Sequence, residues 1–552
     1  MRNKTMTTAR PARVPGRRLL AALAVAAGLG DPAWAQQRDP SVILEVKRFE
    51  VAGELPLTPA EVDETLRPHL GLHKDLATIE AAATALENRV RELGFAFHRI
   101  IVPAQKPVDG VVRLQVLRFP LGSVEVKGNE HFSAENVLAA LPGLVPGTSP
   151  DVRELGREIA LANEHPAKRL ALVMKEGQAT DTVDAEVRVR DASPAQTIVS
   201  LTGQTRDQYD EINRNTGYTR LSVAHQRSDL FDLDHALTAV FTTSPDEVRK
   251  VSQLGLFYWI PLYGYNTSLQ FHYTRSDVNT GVIGAGLSGA DFNVSGRGEF
   301  LGVRATYDLP KWGGTAQTLS ASLDDKHYTS SVGLNIGAVS TALSPPDIHA
   351  RPVSLRYALR DQQSWGSIGG FLEYAVNTHG GSDNTAAAYA ATRARAGFHW
   401  EVRRYGLDAS TQWSGWTLSA RYRGQYSHST LIPGEMFGIG GPGTVRGLRD
   451  RELTGDKGHA LTLEAQGPAL VDTLRPVVFY DQGRVVLNTA NGIQPSSEAA
   501  SSIGAGLRWT WRNHLEAAAD LAHVIDGTRP VGTVPGTRAG RSKITFNLLY
   551  RF

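Results

Sequence analysis

Cysteine is absent from all 552 residues. That excludes disulfides, thiolate metal sites and cysteine nucleophiles together. It suits an oxidising compartment and a fold that needs no covalent staples. Long apolar runs are also missing. Beyond the first 35 residues no stretch reaches the roughly 18 apolar residues of a membrane-spanning helix. Mean hydropathy is −0.23, which fits a soluble protein. It fits a transmembrane β-barrel equally, because barrel strands alternate apolar-out with polar-in. Charge of one sign is lacking too, with 58 Lys and Arg against 56 Asp and Glu, so nothing calls for nucleic acid as a partner. The 16 His show no metal-ligand spacing, and Ser and Asp residues form no recognisable triad. The reading is therefore no catalytic residue, no cofactor and no metal, and the chain is not expected to be an enzyme.

What is present begins with a leader. Arg2, Lys4, Arg10, Arg13, Arg17 and Arg18 precede a short apolar run, Leu19 to Leu29, and Ala33-Trp34-Ala35 offers a small-x-small cleavage site. Residues 1–35 thus read as a secretory signal peptide. Removing its six basic residues and one acid (Asp31) takes the formal net charge from +2 to −3. The precursor's basic pI is therefore mostly the leader's.

Residues 36–118 and 119–192 each mix strand and helix signals in the order β-α-α-β-β. Thr58-Pro59-Ala60-Glu61 is a capping box with Pro in the first turn. Ile79 to Leu93 is an Ala-rich helix stopped at Gly94, and strands follow at Phe95–Val102 and Val111–Leu117. The second unit repeats this with Gly122–Asn129, helices opening at Ser133 and Asp151, and strands Arg169–Lys175 and Thr182–Arg190. Such repetition signals paired modules.

From residue 193 to the end, helix periodicity vanishes. Leu269, Phe271 and Tyr273 oppose Ser268, Gln270 and His272; Ala394, Ala396, Phe398, Trp400 and Val402 oppose Arg393, Arg395, His399, Glu401 and Arg403. About sixteen such strands are expected, near 197–205, 217–226, 235–243, 252–260, 267–274, 299–308, 317–327, 352–360, 367–376, 392–403, 415–427, 459–466, 476–484, 502–511, 514–524 and 543–552. Their polar faces are rich in Arg. Arg304, Arg356, Arg393, Arg395, Arg403, Arg421 and Arg423 are candidates to line an aqueous lumen. Long connections at 278–298, 329–350 and 377–390 suit the outside. Ile544, Phe546, Leu548 and Tyr550 alternate with polar residues, and the chain stops on Phe552.

Between the eleventh and twelfth strands lies a Gly-rich stretch with Arg446 near its centre, Gly438-Ile439-Gly440-Gly441-Pro442-Gly443-Thr444-Val445-Arg446-Gly447-Leu448. It contains a literal GxGxxG, but Pro442 and the following residues supply no helix to receive a pyrophosphate. A loop presenting Arg446 is the better reading. With the N-terminal modules on the inner side, residues 428–458 form the sixth external loop.

These features together resemble the two-partner secretion transporters of the ShlB/FhaC/HecB haemolysin secretion/activation type. The stretch from Gly94-Phe95 to Asp109-Gly110-Val111, and Asn163-Glu164-His165-Pro166 with Val173, Gly177, Asp181 and Thr182, resemble their two polypeptide-transport-associated (POTRA) domains. Val445-Arg446-Gly447-Leu448 resembles the family's Val-Arg-Gly-aromatic motif, with Leu448 in the aromatic's place. Phe479-Tyr480-Asp481-Gln482-Gly483 resembles the partner motif on the wall, and Gly455-Asp456-Lys457-Gly458 also fits the transporters.

The resemblance implies a fold of two POTRA domains and a 16-stranded antiparallel outer-membrane barrel. It implies that Arg446 pairs with Asp481 among Phe479, Asp481 and Gly483, and that Phe552 belongs to a barrel-assembly signal. Expected partners are a large unfolded exoprotein bearing an N-terminal secretion domain, outer-membrane lipid, and the barrel assembly machinery during biogenesis. A plug helix, found in many relatives, is not expected here. An assembly factor of the same superfamily and a diffusion porin are the alternatives.

Overall fold

The computed structural model describes residues 44–73, 75–205, 217–277, 280–283, 292–295, 297–329, 346–490, 492, 495–512, 514–530 and 535–552. The signal-peptide expectation and the absence of a plug helix lie outside the described residues. So do parts of the loops expected at 278–298 and 329–350.

Two small α/β units come first. In one, Arg48–Ala52, Val111–Arg118 and His98–Ile101 form a three-stranded sheet with Val111–Arg118 central, and a two-stranded sheet, Leu44–Val46 with Gly71–His73, sits beside it. Thr58 caps helix Pro59–Leu66 in a complete capping box with Glu61, and Asp75 caps helix Leu76–Glu92. The longer helix buries Ile79, Ala82, Ala83, Leu86 and Val90 against Val112, Leu114 and Val116. The second unit repeats the plan with sheet order Leu121–Lys127, Val183–Asp191, Lys168–Glu176 and helices Ala134–Ala139 and Val152–Ala162. In both sheets the central strand pairs parallel on one side and antiparallel on the other.

From Ala195 the chain forms a closed antiparallel barrel of sixteen strands, and the last, Ser542–Arg551, pairs with the first, Ala195–Gln204. Closure leaves no open edge within lipid, the condition for a sheet to span a membrane. Fifteen strands overlap the expected positions. The tenth does not. It runs Glu401–Trp413; a helix, Ala386–Thr392, ends where the strand is expected to begin, and residues 393–400 are turn and bend.

The outward face carries exposed Leu301, Leu323, Leu355, Leu372, Leu463 and Ile503. Exposed Tyr265, Trp312, Trp365, Trp413 and Trp511 all sit beside the short turns on one rim. That is the aromatic girdle of a membrane interface. It marks the same side as the N-terminal domains, because the turns at Phe231–Asp234 and Tyr263–Asn266 on that rim contact the second α/β unit.

This contact is a buried polar junction. Lys168 Nζ donates to Asn136 Oδ1 at 2.6 Å and to Asp234 Oδ2 at 2.5 Å, and the Tyr263 hydroxyl reaches the same carboxylate at 2.5 Å. Lys168 and Asp234 are each 1% exposed. His165, fully buried, bonds the Ser228 carbonyl, and burial pushes its imidazole down to about 4. Burial also lowers Lys168, against the pull of Asp234. Buried charges that are paired and hydrogen-bonded fix one geometry strongly, since any displacement strands them.

Candidate functional site: a loop strapped across the barrel lumen

The sixth external loop connects Trp416–Tyr426 to Lys457–Gln466 and folds inward. Its limbs pair as a short hairpin, Phe437–Ile439 with Leu453–Gly455. Thr444 closes the turn by bonding both the N–H and the carbonyl of Gly440. At the tip, Gly447 takes φ +95°, and a Cβ there would come within 2.9 Å of Val524 on the wall. Only glycine allows both that backbone and that approach.

Arg446 therefore meets the wall edge-on. Its Nε and Nη2 donate to the two oxygens of Asp481 at 2.7 and 2.9 Å, and its backbone N–H reaches Asp481 at 3.1 Å. Nη1 donates to Glu464 at 3.1 Å and to Asp520 at 3.3 Å. The guanidinium lies over the Phe479 ring, 3.3 Å from its centroid. Arg508 holds the far side of Asp520 at 2.6 Å. Three acids thus surround two arginines on four adjacent strands. The planar fork satisfies a bidentate carboxylate and stacks on an aromatic at once, which an ammonium cannot do.

The apolar flanks seal this contact. Val445, Leu448, Ile439 and Leu453 pack with Ala460, Val485, Ala500 and Val524 of the wall. Leu448, in the position that resembles an aromatic, is 1% exposed. Gly483 faces Ile439, whose Cβ lies 3.2 Å from where a Gly483 Cβ would stand, so this glycine makes room for the hairpin. Phe479, Asp481 and Gly483 share the inner face of Arg475–Val486, while Val478 on the other face is half exposed.

A second anchor, which the sequence reading did not assign, holds the loop's first limb to a different part of the wall. Glu435, 3% exposed, accepts from Lys326 Nζ, the Tyr328 hydroxyl and Arg404 Nη2, each at 2.8 Å. Arg404 also reaches Glu373 at 2.9 Å. A third contact ties loop to loop. Asp456, fully buried, takes a bidentate pair from Arg393 at 2.6 and 2.9 Å, and accepts the N–H groups of Leu431 and Asn488, each at 2.7 Å.

The candidate luminal arginines divide. Arg304, Arg356, Arg421 and Arg423 lie on inner faces. Arg356 stacks on Phe371 at 3.7 Å, and Arg421 and Arg423 share Asp408. Arg393, Arg395 and Arg403 do not line the lumen wall. Arg393 and Arg395 follow the helix Ala386–Thr392 in the fifth external loop; Arg395 is exposed in a turn at φ +64°. Arg403 points outward, over the ring of Tyr374, and its neighbour Arg404 takes the inner position. Phe552 ends the closing strand, with its N–H on the Thr197 carbonyl and its ring 70% exposed at the girdle rim.

Comparison with known proteins agrees with this architecture. The model of the haemolysin secretion/activation protein family ShlB/FhaC/HecB matches residues 204–509, and that of the ShlB-type POTRA domain matches residues 44–118. The solved structure of CdiB from Escherichia coli is similar with a TM-score of 0.72 at 15% identity, covering 95% of this chain and 93% of that one. CdiB from Acinetobacter baumannii gives 0.67 at 16% identity, covering 92% and 90%. No curated protein sequence matches. At such identities the solved structures speak for the fold, while the family model spans more than half of the chain. The chain belongs to the haemolysin secretion/activation (ShlB/FhaC/HecB) family of two-partner secretion transporters, barrels of the outer membrane with periplasmic POTRA domains.

Proposed function

We propose that this transporter exports one large exoprotein of the adhesin or haemolysin type, captured unfolded in the periplasm and passed through the barrel without nucleotide energy. The observation that carries the reading is the open edge of Lys168–Glu176. It is the outer strand of its sheet, and no described strand pairs with its far side. An unpaired edge takes an extended chain by strand addition, with main-chain hydrogen bonds giving affinity and alternate side chains giving selectivity. The polar junction at Lys168 and Asp234 holds that edge at the mouth of the barrel. Chain captured there is already at the pore.

The strap is the gate in this scheme. Its anchors are ion pairs and small apolar contacts, which an entering polar chain can replace one at a time. The inner Arg356, Arg404, Arg421 and Arg423 offer a hydrated path with no apolar surface for the client to stick to. Folding outside then makes the movement directional. Barrel assembly machinery enters only during biogenesis, where Phe552 is the proposed recognition end.

The test compares secreted and outer-membrane proteomes with and without the gene. Loss of one large protein from the medium, with other barrels unchanged, is expected. A general fall in outer-membrane barrels would mean an assembly factor, and no change in either fraction would mean a porin.

A further inference from the structure

We propose that His327, His349 and Asp383 form a binding site for a divalent transition-metal ion of the zinc class, on the outer rim of the barrel. His327 and His349 face each other directly across the seventh and eighth barrel strands, Thr315–Tyr328 and Ile348–Gln363. Their rings stack with centroids 4.3 Å apart and planes 10° from parallel. Asp383 comes from the fifth external loop. One ligand atom from each of the three lies within 4.8 Å of the others.

The distances inside the cluster point to a metal rather than to hydrogen bonds. His349 Nδ1 stands 3.6 Å from Asp383 Oδ2, and His327 Nε2 stands 3.5 Å from Asp347 Oδ2. Both are too long for good N–H···O bonds. His349 Nδ1 is buried and makes no hydrogen bond, a costly state for a ring nitrogen. Ligands about 2.1 Å from a tetrahedral zinc stand about 3.4 Å from one another. The separation of His349 Nδ1 from Asp383 Oδ2 matches that edge; the parallel ring stack must open by rotation of one imidazole before both histidines aim a nitrogen at one ion. Asp383 Oδ2 also accepts the Ser382 hydroxyl at 2.9 Å, which fixes the carboxylate. Imidazole with carboxylate selects zinc and its neighbours over calcium and magnesium.

The surroundings give the site a purpose. The Tyr389 hydroxyl donates to the His349 carbonyl at 3.0 Å from helix Ala386–Thr392. Four residues further on, Arg393 grips Asp456 of the sixth loop. A metal joining Asp383 to the two strands therefore pins the fifth loop, and through Arg393 it steadies the strap. The ion belongs on the outer surface, since His327, His349, Asp325 and Arg351 share the outward face of these strands above the apolar belt.

The experiment uses the full chain without an affinity tag, in detergent, stripped with a chelator and titrated with zinc against a competing indicator. One tightly held equivalent is expected. His327→Gln/His349→Gln should weaken it at least tenfold, and Asp383→Asn should weaken it too, with unchanged heat-modified migration showing an intact barrel. His379→Ala/His399→Ala removes another adjacent His pair and should leave the equivalent in place. No stoichiometric zinc on the wild type, an undiminished equivalent in the His327/His349 double variant, or its loss in the His379/His399 variant would each overturn the proposal.

Discussion

Arg446 and Asp481 are not equal partners, and their inequality can be measured. Asp481 is wholly buried, and among the described residues the three hydrogen bonds to its carboxylate all come from Arg446. Arg446→Ala leaves it with one backbone N–H and no cation. Breaking a buried pair in this way costs about 3–5 kcal/mol. Asp481→Asn is milder, because Arg446 keeps Glu464 at 3.1 Å, Asp520 at 3.3 Å and its stack on Phe479. Losing one charged hydrogen-bond partner among several costs about 1–3 kcal/mol. The strap-free population should thus rise roughly a hundredfold or more in Arg446→Ala and about tenfold in Asp481→Asn, at 1.4 kcal/mol per decade. Arg446→Lys should fall between them, keeping a charge but losing the fork and the stacked plane.

Because the chain has no cysteine, a single Leu448→Cys reports the opening without background. Leu448 is 1% exposed, so a membrane-impermeant maleimide reaches residue 448 only when the loop leaves the wall, and the labelling rate follows the open population. Secretion should fall in both variants while the folded barrel remains in the membrane. Equal labelling rates in Arg446→Ala and Asp481→Asn, or a faster rate in the latter, would refute the argument that Asp481 depends on Arg446 alone.

Two further tests address the gate and the junction. Ile439→Cys/Gly483→Cys places two Cβ atoms about 3.2 Å apart, a few tenths of an ångström short of disulfide geometry; the oxidised bridge should arrest secretion and a reductant restore it, whereas full secretion from the oxidised form would show that the strap stays in place. The POTRA–barrel junction should tighten as pH rises. Burial lowers His165 from 6.5 to about 4, so the undocked state binds the extra proton between those values, and docking gains on the order of 3 kcal/mol across that window and is flat above it. Lys168, Arg169 and Asp234 face the ring. The surrounding protein and Asp308 push Glu164 upward, which acts in the opposite sense, but at its solvent-exposed position this is largely screened. Pulsed spin-label distances between helix Val152–Ala162 and the turn at Tyr263–Asn266, with Glu164→Gln to remove the opposing group, read this directly; a distribution that loosens with rising pH would contradict the assignment to His165.

The barrel was legible because a period of two is a strong local signal where one face meets lipid. Strand thirteen shows this, with Phe479, Asp481 and Gly483 on one face. The pairing of Arg446 with Asp481 was legible only through the resemblance of two motifs, since nothing local links a loop to a strand 35 residues away. The Glu435 anchor carried no such motif. Its partners Lys326, Tyr328 and Arg404 come from two distant strands, and they meet only when the barrel closes. The metal-ligand cluster was hidden for the same reason: His327 and His349 become neighbours through strand register, not spacing.

The error at the tenth strand has a different origin. Residues 393–403 alternate polar with apolar, yet Arg395 sits in a left-handed turn and the strand begins only at Glu401. Within the strand, Arg403 faces outward. The rule that polar residues point to the lumen holds only across the apolar band, about 25 Å tall. The longest described strand has 16 residues. At about 3.3 Å per residue and a tilt near 40° it rises roughly 40 Å. About 15 Å of wall therefore stands in headgroups and water, where an outward charge costs little. Arg403 beside Tyr374, Arg351 beside Asp325, and the two histidines all occupy that collar. Shifting the reading of a strand by one residue exchanges its faces, so a strand read from its collar inverts lumen and lipid, while one read from its apolar centre does not.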